Sequence, residues 1–162
     1  MRKILIFGNS GSGKSTLAKR LSEETDLIYL DLDNFAWCPI NRTTRLSISQ
    51  SKAKIEGFLA GKSGWVVEGC YVDLLALLKE AANEIFFLNL SDDDCDVNAR
   101  QRPWEPHKYA TKQEQDDNLG ILVDWIRQYS IRMDEFSRTA HQAFFDGFEG
   151  VKTVYTSNQK SA

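Results

Sequence analysis

The sequence predicts an α/β fold with a mainly parallel sheet, and three observations carry that reading. Short apolar, β-prone runs alternate with helical patterns along the chain. One of these runs, Glu84 to Leu90, is almost continuously apolar, as a strand covered on both faces is. The first run opens directly into a Gly/Ser loop and then a helical pattern, giving a strand, a tight turn and a helix in succession.

Taken in order, Arg2 to Phe7 is the first strand, and Gly8-Asn9-Ser10-Gly11-Ser12-Gly13 follows at once. From Lys14 the pattern is helical, with Leu17, Ala18 and Leu21 on one face as far as about Glu24. Leu27 to Leu30 reads as a second strand ending in the acidic Asp31-Leu32-Asp33. Ile48, Ile55, Phe58 and Leu59 share a helical face, and Gly61 and Gly64 bracket its end before a third strand, Trp65-Val66-Val67. Val72 to Ala82 reads as helix and Glu84 to Leu90 as the fourth strand. Ser91 can cap the next helix, with Asp92, Asp93 and Asp94 at the positive end of its dipole; a metal site is the other reading of that acid run.

After Pro103 and Pro106, Thr111 with Glu114 has the form of a capping box. Leu119, Leu122, Ile126, Tyr129, Met133, Phe136, Ala140 and Ala143 then alternate steps of three and four, which predicts one long helix or two consecutive ones packed on the sheet. Val151 to Tyr155 is the fifth strand, and a polar tail, Thr156 to Ala162, follows. Ligands of such sheets bind outside the carboxyl ends of the strands. The Gly/Ser loop, Asp31 and Asp33, Glu68 and the acid run at 91–94 all lie just past predicted strand ends.

With 162 residues and 42% hydrophobic composition, the chain is expected to form a single domain, 1–162, around one core. Twenty Lys and Arg against 23 Asp and Glu give a net charge of −3, so no overall positive field draws the protein to nucleic acid or to an anionic membrane. No apolar run approaches the roughly 20 residues of a membrane span. The apolar stretch after Met1-Arg2-Lys3 stops at Gly8, too early for a secretory signal. Cys38, Cys70 and Cys95 are odd in number and far apart, with neither His107 nor His141 at metal-ligand spacing. They read as reduced thiols of a cytoplasmic protein.

Gly8-Asn9-Ser10-Gly11-Ser12-Gly13-Lys14-Ser15 matches G-x-x-x-x-G-K-[ST] in full, in the strand-to-helix context the pattern requires. A polyphosphate needs backbone N–H groups turned inward with no side chains in the way, and glycine permits that approach. The following helix adds its positive end. Residues Gly8 to Thr16 are therefore the expected nucleotide-binding segment, with Lys14 on the β- and γ-phosphates and Ser15 on Mg²⁺. A guanine-reading Asn-Lys-x-Asp is absent, and Asp117-Asn118-Leu119-Gly120, formally D-x-x-G, lies inside a helical stripe. A small phosphotransferase fits best.

This loop, followed by Leu30-Asp31-Leu32-Asp33-Asn34-Phe35-Ala36-Trp37, then Trp65-Val66-Val67-Glu68-Gly69-Cys70-Tyr71, then an Arg-bearing helix, resembles the adenylate-kinase-like small P-loop kinases. The pattern is most similar to the subgroup labelled DNA topology modulation proteins. The resemblance runs over nearly the whole chain and implies a three-layer fold with a five-stranded sheet flanked by helices. It also implies ATP as donor and a small mobile lid with arginines, here around 98–112.

By the same resemblance Asp33 matches the carboxylate that faces the acceptor; chemically it can orient a hydroxyl and take its proton. Glu68 stands where the family has Asp, so it is either a Mg²⁺-side or a substrate-side carboxylate. Gly69 permits close backbone approach; Tyr71 is either acceptor-pocket lining or an amphipathic rim residue, and Phe35 and Trp37 are either pocket wall or core. Arg102 is the preferred lid arginine, because one family arginine falls on Asn98; Arg100 and Lys108 share the segment. Arg132, in Arg132-Met133-Asp134-Glu135, resembles the Arg-x-Asp-Asp of adenylate kinases and is a second catalytic candidate or simply a partner of a nearby acid. Thr156-Ser157-Asn158 falls at the family's adenine-contacting loop.

The expected activity is transfer of the γ-phosphate of ATP, with Mg²⁺, to a hydroxyl or phosphate of a small-molecule acceptor. The alternative is a P-loop regulatory or nucleic-acid-associated ATPase. The sequence names neither the acceptor nor the oligomeric state.

Overall fold

The computed structural model describes residues 1–159. Five strands form one parallel sheet: β1 (Lys3–Gly8), β2 (Ile28–Asp31), β3 (Trp65–Glu68), β4 (Glu84–Leu88) and β5 (Val151–Tyr155), in the order β2-β3-β1-β4-β5. Between them run α1 (Lys14–Thr25), the single turn α2 (Asp33–Ala36), α3 (Ile48–Leu59), α4 (Val72–Leu78), α5 (Asp92–Arg100), α6 (Lys112–Arg127) and α7 (Arg138–Asp146).

Alternation along the strands sorts the core into two layers. Leu5, Phe7, Val67, Ile85 and Phe87 point to the side covered by α2, α3, α4 and α7, where Leu74, Leu75, Phe144 and Ile55 meet them. Ile4, Ile6, Val66, Phe86 and Leu88 point to the other side, against Leu17, Ala18 and Leu21 of α1, Cys95 and Ala99 of α5, and Ile126 of α6. The fold is thus the expected α/β arrangement of a five-stranded parallel sheet between two helical layers, with strand limits within about two residues of those read from sequence.

The helical stripe from Leu119 resolves into two helices, broken between Arg127 and Arg138. Tyr129 and Phe136 stay on the stripe, but Met133 is exposed on the turn between the helices. Ser91 caps α5 by accepting the Asp94 N–H, and its acids are tied to arginines of α6 and α7: Asp92 to Arg138, Asp93 and Asp96 to Arg127. The acid run is a helix start held by cations. At Thr111 only half of the capping box forms, because Glu114 accepts from Ala110 N–H rather than from Thr111. The four-residue α2 carried no periodic signal and was not predicted. The three cysteines are unpaired, and no described helix is long and apolar enough to cross a membrane.

The topology positions the site. The connections leaving the adjacent strands β1 and β3 go to opposite faces, α1 on one and α4 on the other. A crevice opens at the carboxyl ends of such a pair. Pairing of Ile6 with Glu68 and of Asp31 with Glu68 brings the ends of β1, β2 and β3 to one level beneath it.

Candidate functional site

A cleft of about 1000 Å³ lies over those strand ends. Its wall includes Ser10 to Thr16, Asp33, Glu68 and Gly69 from the strand ends, Arg102 and Lys108 from the α5–α6 connection (101–111), and Ser157 to Gln159 after β5. That volume is at the upper end for small-ligand sites.

The loop after β1 is built for an anion. Gly11 has φ +78° and Gly13 φ +92°, both left-handed, and Gly13 caps α1 with no side chain in the way. A Cβ at Gly11 would stand 2.4 Å from the Cys95 carbonyl oxygen of α5, so the loop packs against that helix at van der Waals limit. Asn9 turns away from the cleft and donates to the Ile126 carbonyl at 3.1 Å, pinning the loop to α6. The Ser12 hydroxyl is buried and finds no partner among the described residues, and Lys14 Nζ folds back onto the Asn9 carbonyl at 2.8 Å. A buried orphan hydroxyl, a lysine held only by a loop carbonyl and a helix N-terminus together suit a phosphate chain.

Next to the loop, Ser15 Oγ donates to Glu68 Oε1 at 3.1 Å, and the Tyr29 hydroxyl donates to the same oxygen at 3.0 Å. Glu68 is buried, and burial with the charge of Asp31 pushes its carboxyl up to about 7 against the pull of Lys14. Burial, reinforced by Asp33, likewise raises Asp31. Two crowded carboxyls beside a serine hydroxyl are a donor set that a hard divalent cation fits, together with phosphate oxygens and water.

Across the cleft, Asp33 opens α2, its N–H held by Asp31 Oδ1 at 2.9 Å. Its Oδ1 accepts from the Tyr71 hydroxyl at 2.5 Å, and that hydroxyl accepts from Trp37 Nε1 at 2.9 Å. Its Oδ2 faces Lys108 Nζ at 3.7 Å. Asp33 is therefore a part-exposed carboxylate held by a relay. Burial, with Asp33 next, drives the Tyr71 phenol far above its ordinary pKa, so it remains a proton donor in this relay.

The sequence-predicted residues divide accordingly. The structure brings together Ser10 to Thr16, Asp33, Glu68, Gly69 and Arg102. Arg102 pairs with Glu105 at 3.3 Å. Gly8 supports the loop from below: a Cβ there would lie 2.5 Å from the Leu88 carbonyl oxygen.

Phe35, Trp37, Tyr71 and Arg132 do not line the cleft. Phe35 packs edge-on against Phe58 of α3, 5.5 Å between centroids, as a partly buried residue at the margin of the core. Trp37 and Tyr71 stand behind Asp33, with the Arg45 guanidinium 5.0 Å over the Tyr71 ring. Arg132 stacks 3.6 Å over the Trp125 ring and pairs with Asp134 at 2.5 Å; it acts there as a structural cation. Arg100 pairs with Asp96 outside the cleft.

Three residues escaped sequence reasoning. Tyr29 sits on an edge strand where aromatics are common, and only the pairing of β2 with β3 aims it at Glu68. Asn98 donates to the Gly11 carbonyl at 2.8 Å and exchanges amide hydrogen bonds with Asn158, tying the loop to the segment after β5. Its place one helical turn before Arg102 was the available signal. Lys108 was one of several cations in its segment.

No protein-family model matches the sequence, and no curated protein matches it either. Among solved structures the chain is similar to the unliganded crystal structure of a sugar kinase from Janibacter sp. HTCC2649. The TM-score is 0.50 and the identity 16%, over 96% of this chain and 85% of that one. The two chains share a fold. At that identity the likeness is one of overall architecture alone.

Proposed function

We propose that the protein is an ATP- and Mg²⁺-dependent small P-loop kinase that transfers the γ-phosphoryl group to a hydroxyl or phosphate of a small acceptor. The observation that carries this reading is the meeting in one cleft of a glycine loop bearing Lys14 and a carboxylate, Asp33, held by Tyr71 and Trp37 on the opposite wall. The sequence resemblance to adenylate-kinase-like kinases, nearest the DNA topology modulation subgroup, supports it. So does the fold shared with a protein described as a sugar kinase.

In this reading the N–H groups of the loop and of the start of α1 bind the phosphates, and Lys14 leaves the Asn9 carbonyl for the β- and γ-oxygens. Ser15 and Glu68 would hold Mg²⁺, which when bound neutralises charge on the phosphate oxygens. Asp33 orients the acceptor hydroxyl and accepts its proton, with Tyr71 fixing one carboxylate oxygen so that the other faces the cleft. Segment 98–112 serves as the lid: it excludes water and brings Arg102 to the transferring group. In this reading Ser157 and Asn158, which line the cleft after β5, contact the base.

The test is a panel of nucleosides, nucleotides, sugars and hydroxy acids scored for ATP-dependent phosphorylation by the native protein and by Lys14→Ala. Transfer to one class, abolished by Lys14→Ala, is expected. Transfer indifferent to Lys14→Ala would overturn the donor site, and phosphate release with no acceptor phosphorylated would replace the kinase with a regulatory ATPase.

A further inference from the structure

The α5–α6 connection carries a cation to the carboxylate that the kinase reading makes the acceptor base, and the inference below rests on that reading for its meaning. Lys108 Nζ stands 3.7 Å from Asp33 Oδ2 and 3.6 Å from Glu105 Oε2. It is mounted on a hydrogen-bonded turn: the N–H groups of Lys108 and Tyr109 both donate to the Glu105 carbonyl at 3.0 Å. That turn is tied to α6 through Gln115, which accepts from the Glu105 N–H at 2.8 Å and donates to the Pro103 carbonyl at 3.0 Å.

Asp33 thus has both oxygens engaged by the protein, one by Tyr71 and the other by Lys108. The two partners differ in kind. Tyr71 is buried and immediately precedes α4. Lys108 belongs to a stretch of irregular backbone that spans the cleft mouth. Burial lowers the Lys108 pKa, but the charges of Asp33, Glu105 and Asp31 outweigh that and the opposing Arg102, leaving it above the ordinary lysine value and charged.

We infer that Lys108 is a latch between lid and base: in the acceptor-free protein its ammonium occupies Asp33 and holds segment 101–111 down over the cleft, and an acceptor hydroxyl reaches Asp33 only by displacing it. An unpaired carboxylate beside bound ATP would orient water as readily as an acceptor. Neutralised by Lys108, Asp33 does not. The displaced ammonium remains in the cleft that Lys14 and Arg102 also line, where it can oppose charge on the transferring group.

Amide hydrogen exchange on the full chain, without nucleotide, tests the latch directly. Lys108→Met should speed exchange across 101–110 by about two- to fivefold, the effect of losing a part-exposed ion pair. Asp33→Asn should give the same rise, the double variant no more than either, and Lys108→Arg the native rate. Peptides from β1 and β4 report whether the fold itself has loosened, and their rates should not change.

Native exchange rates in Lys108→Met, or fully additive effects in the double variant, would overturn the latch. This measurement needs no turnover, so failure to find an acceptor leaves it standing. A second measurement addresses the gating consequence: acceptor-free ATP hydrolysis should rise in Lys108→Met, and no rise or a fall would overturn that consequence.

Discussion

Replacing Gly11 and Gly13 separately by alanine distinguishes two ways in which the phosphate loop depends on glycine. Both positions have positive φ, +78° and +92°, so an alanine at either incurs left-handed strain of about 1–3 kcal/mol. At Gly13 nothing lies within 4 Å of the added Cβ, and strain is the whole cost. At Gly11 the Cβ would come to 2.4 Å from the Cys95 carbonyl oxygen and 3.2 Å from its carbon, both backbone atoms of α5.

Relieving that contact means shifting the loop or the helix, an overpacking cost of about 1–3 kcal/mol more. For a chain of this size each kcal/mol lowers Tm by roughly 2–4 °C. Gly13→Ala should therefore unfold about 2–12 °C below the native protein, and Gly11→Ala about 2–12 °C lower still. Thermal unfolding followed by circular dichroism, with ATP-analogue affinity measured on the same samples, is the assay. Gly11→Ala should also lose more nucleotide affinity than Gly13→Ala, since the displaced loop carries the N–H cradle. Equal Tm values for the two variants would refute the packing argument, and a native Tm for either would refute the strain argument.

His141 accepts the Tyr129 hydroxyl at Nδ1 and donates from Nε2 to the Cys70 carbonyl, and burial lowers its pKa from 6.5 to about 4. The unfolded chain then binds the extra proton first, so stability is intact above about pH 6.5 and is lost as pH falls toward 4, by up to about 3 kcal/mol. Urea titrations at pH 7.5 and 4.5 should show a smaller drop for His141→Gln than for the native protein. Tyr29→Phe removes one of the two donors to Glu68 Oε1 and should weaken Mg²⁺-dependent nucleotide binding about tenfold, with metal-free binding unchanged, by calorimetry with Mg²⁺ and with EDTA. Arg132→Ala removes the cation stacked on Trp125 and should cost about 1–2 kcal/mol of stability while leaving the apparent KM for ATP unchanged in coupled kinetics.

The sheet was legible because its strands carry their burial on the surface of the sequence. Ile85 to Leu88 is apolar on both faces, and Leu5 and Phe7 alternate with Ile4 and Ile6 between two cores. The phosphate loop was legible because backbone geometry demands glycine at fixed spacing. The acceptor side was less so. Trp37 and Tyr71 have the composition of a pocket wall, and nothing in their spacing says that the indole N–H points at the Tyr71 hydroxyl and the phenol at Asp33 rather than at a ligand. Arg132 matches a catalytic pattern, yet its guanidinium is captured by Trp125, three-dimensional information that a short motif lacks. Tyr29, Asn98 and Lys108 acquire their roles only when β2 meets β3, when the segment after β5 meets the loop, and when 101–111 crosses the cleft.

In the proposed reaction phosphoryl transfer runs from the Lys14 loop to an acceptor held by Asp33. Its most direct measurement is the rate of acceptor phosphorylation by Asp33→Asn, made alongside the affinity of the same variant for Mg²⁺ and ATP. Nucleotide affinity should stay close to native while transfer slows by about 10²–10⁴-fold, the contribution of a positioned general base. Transfer at the native rate would contradict it.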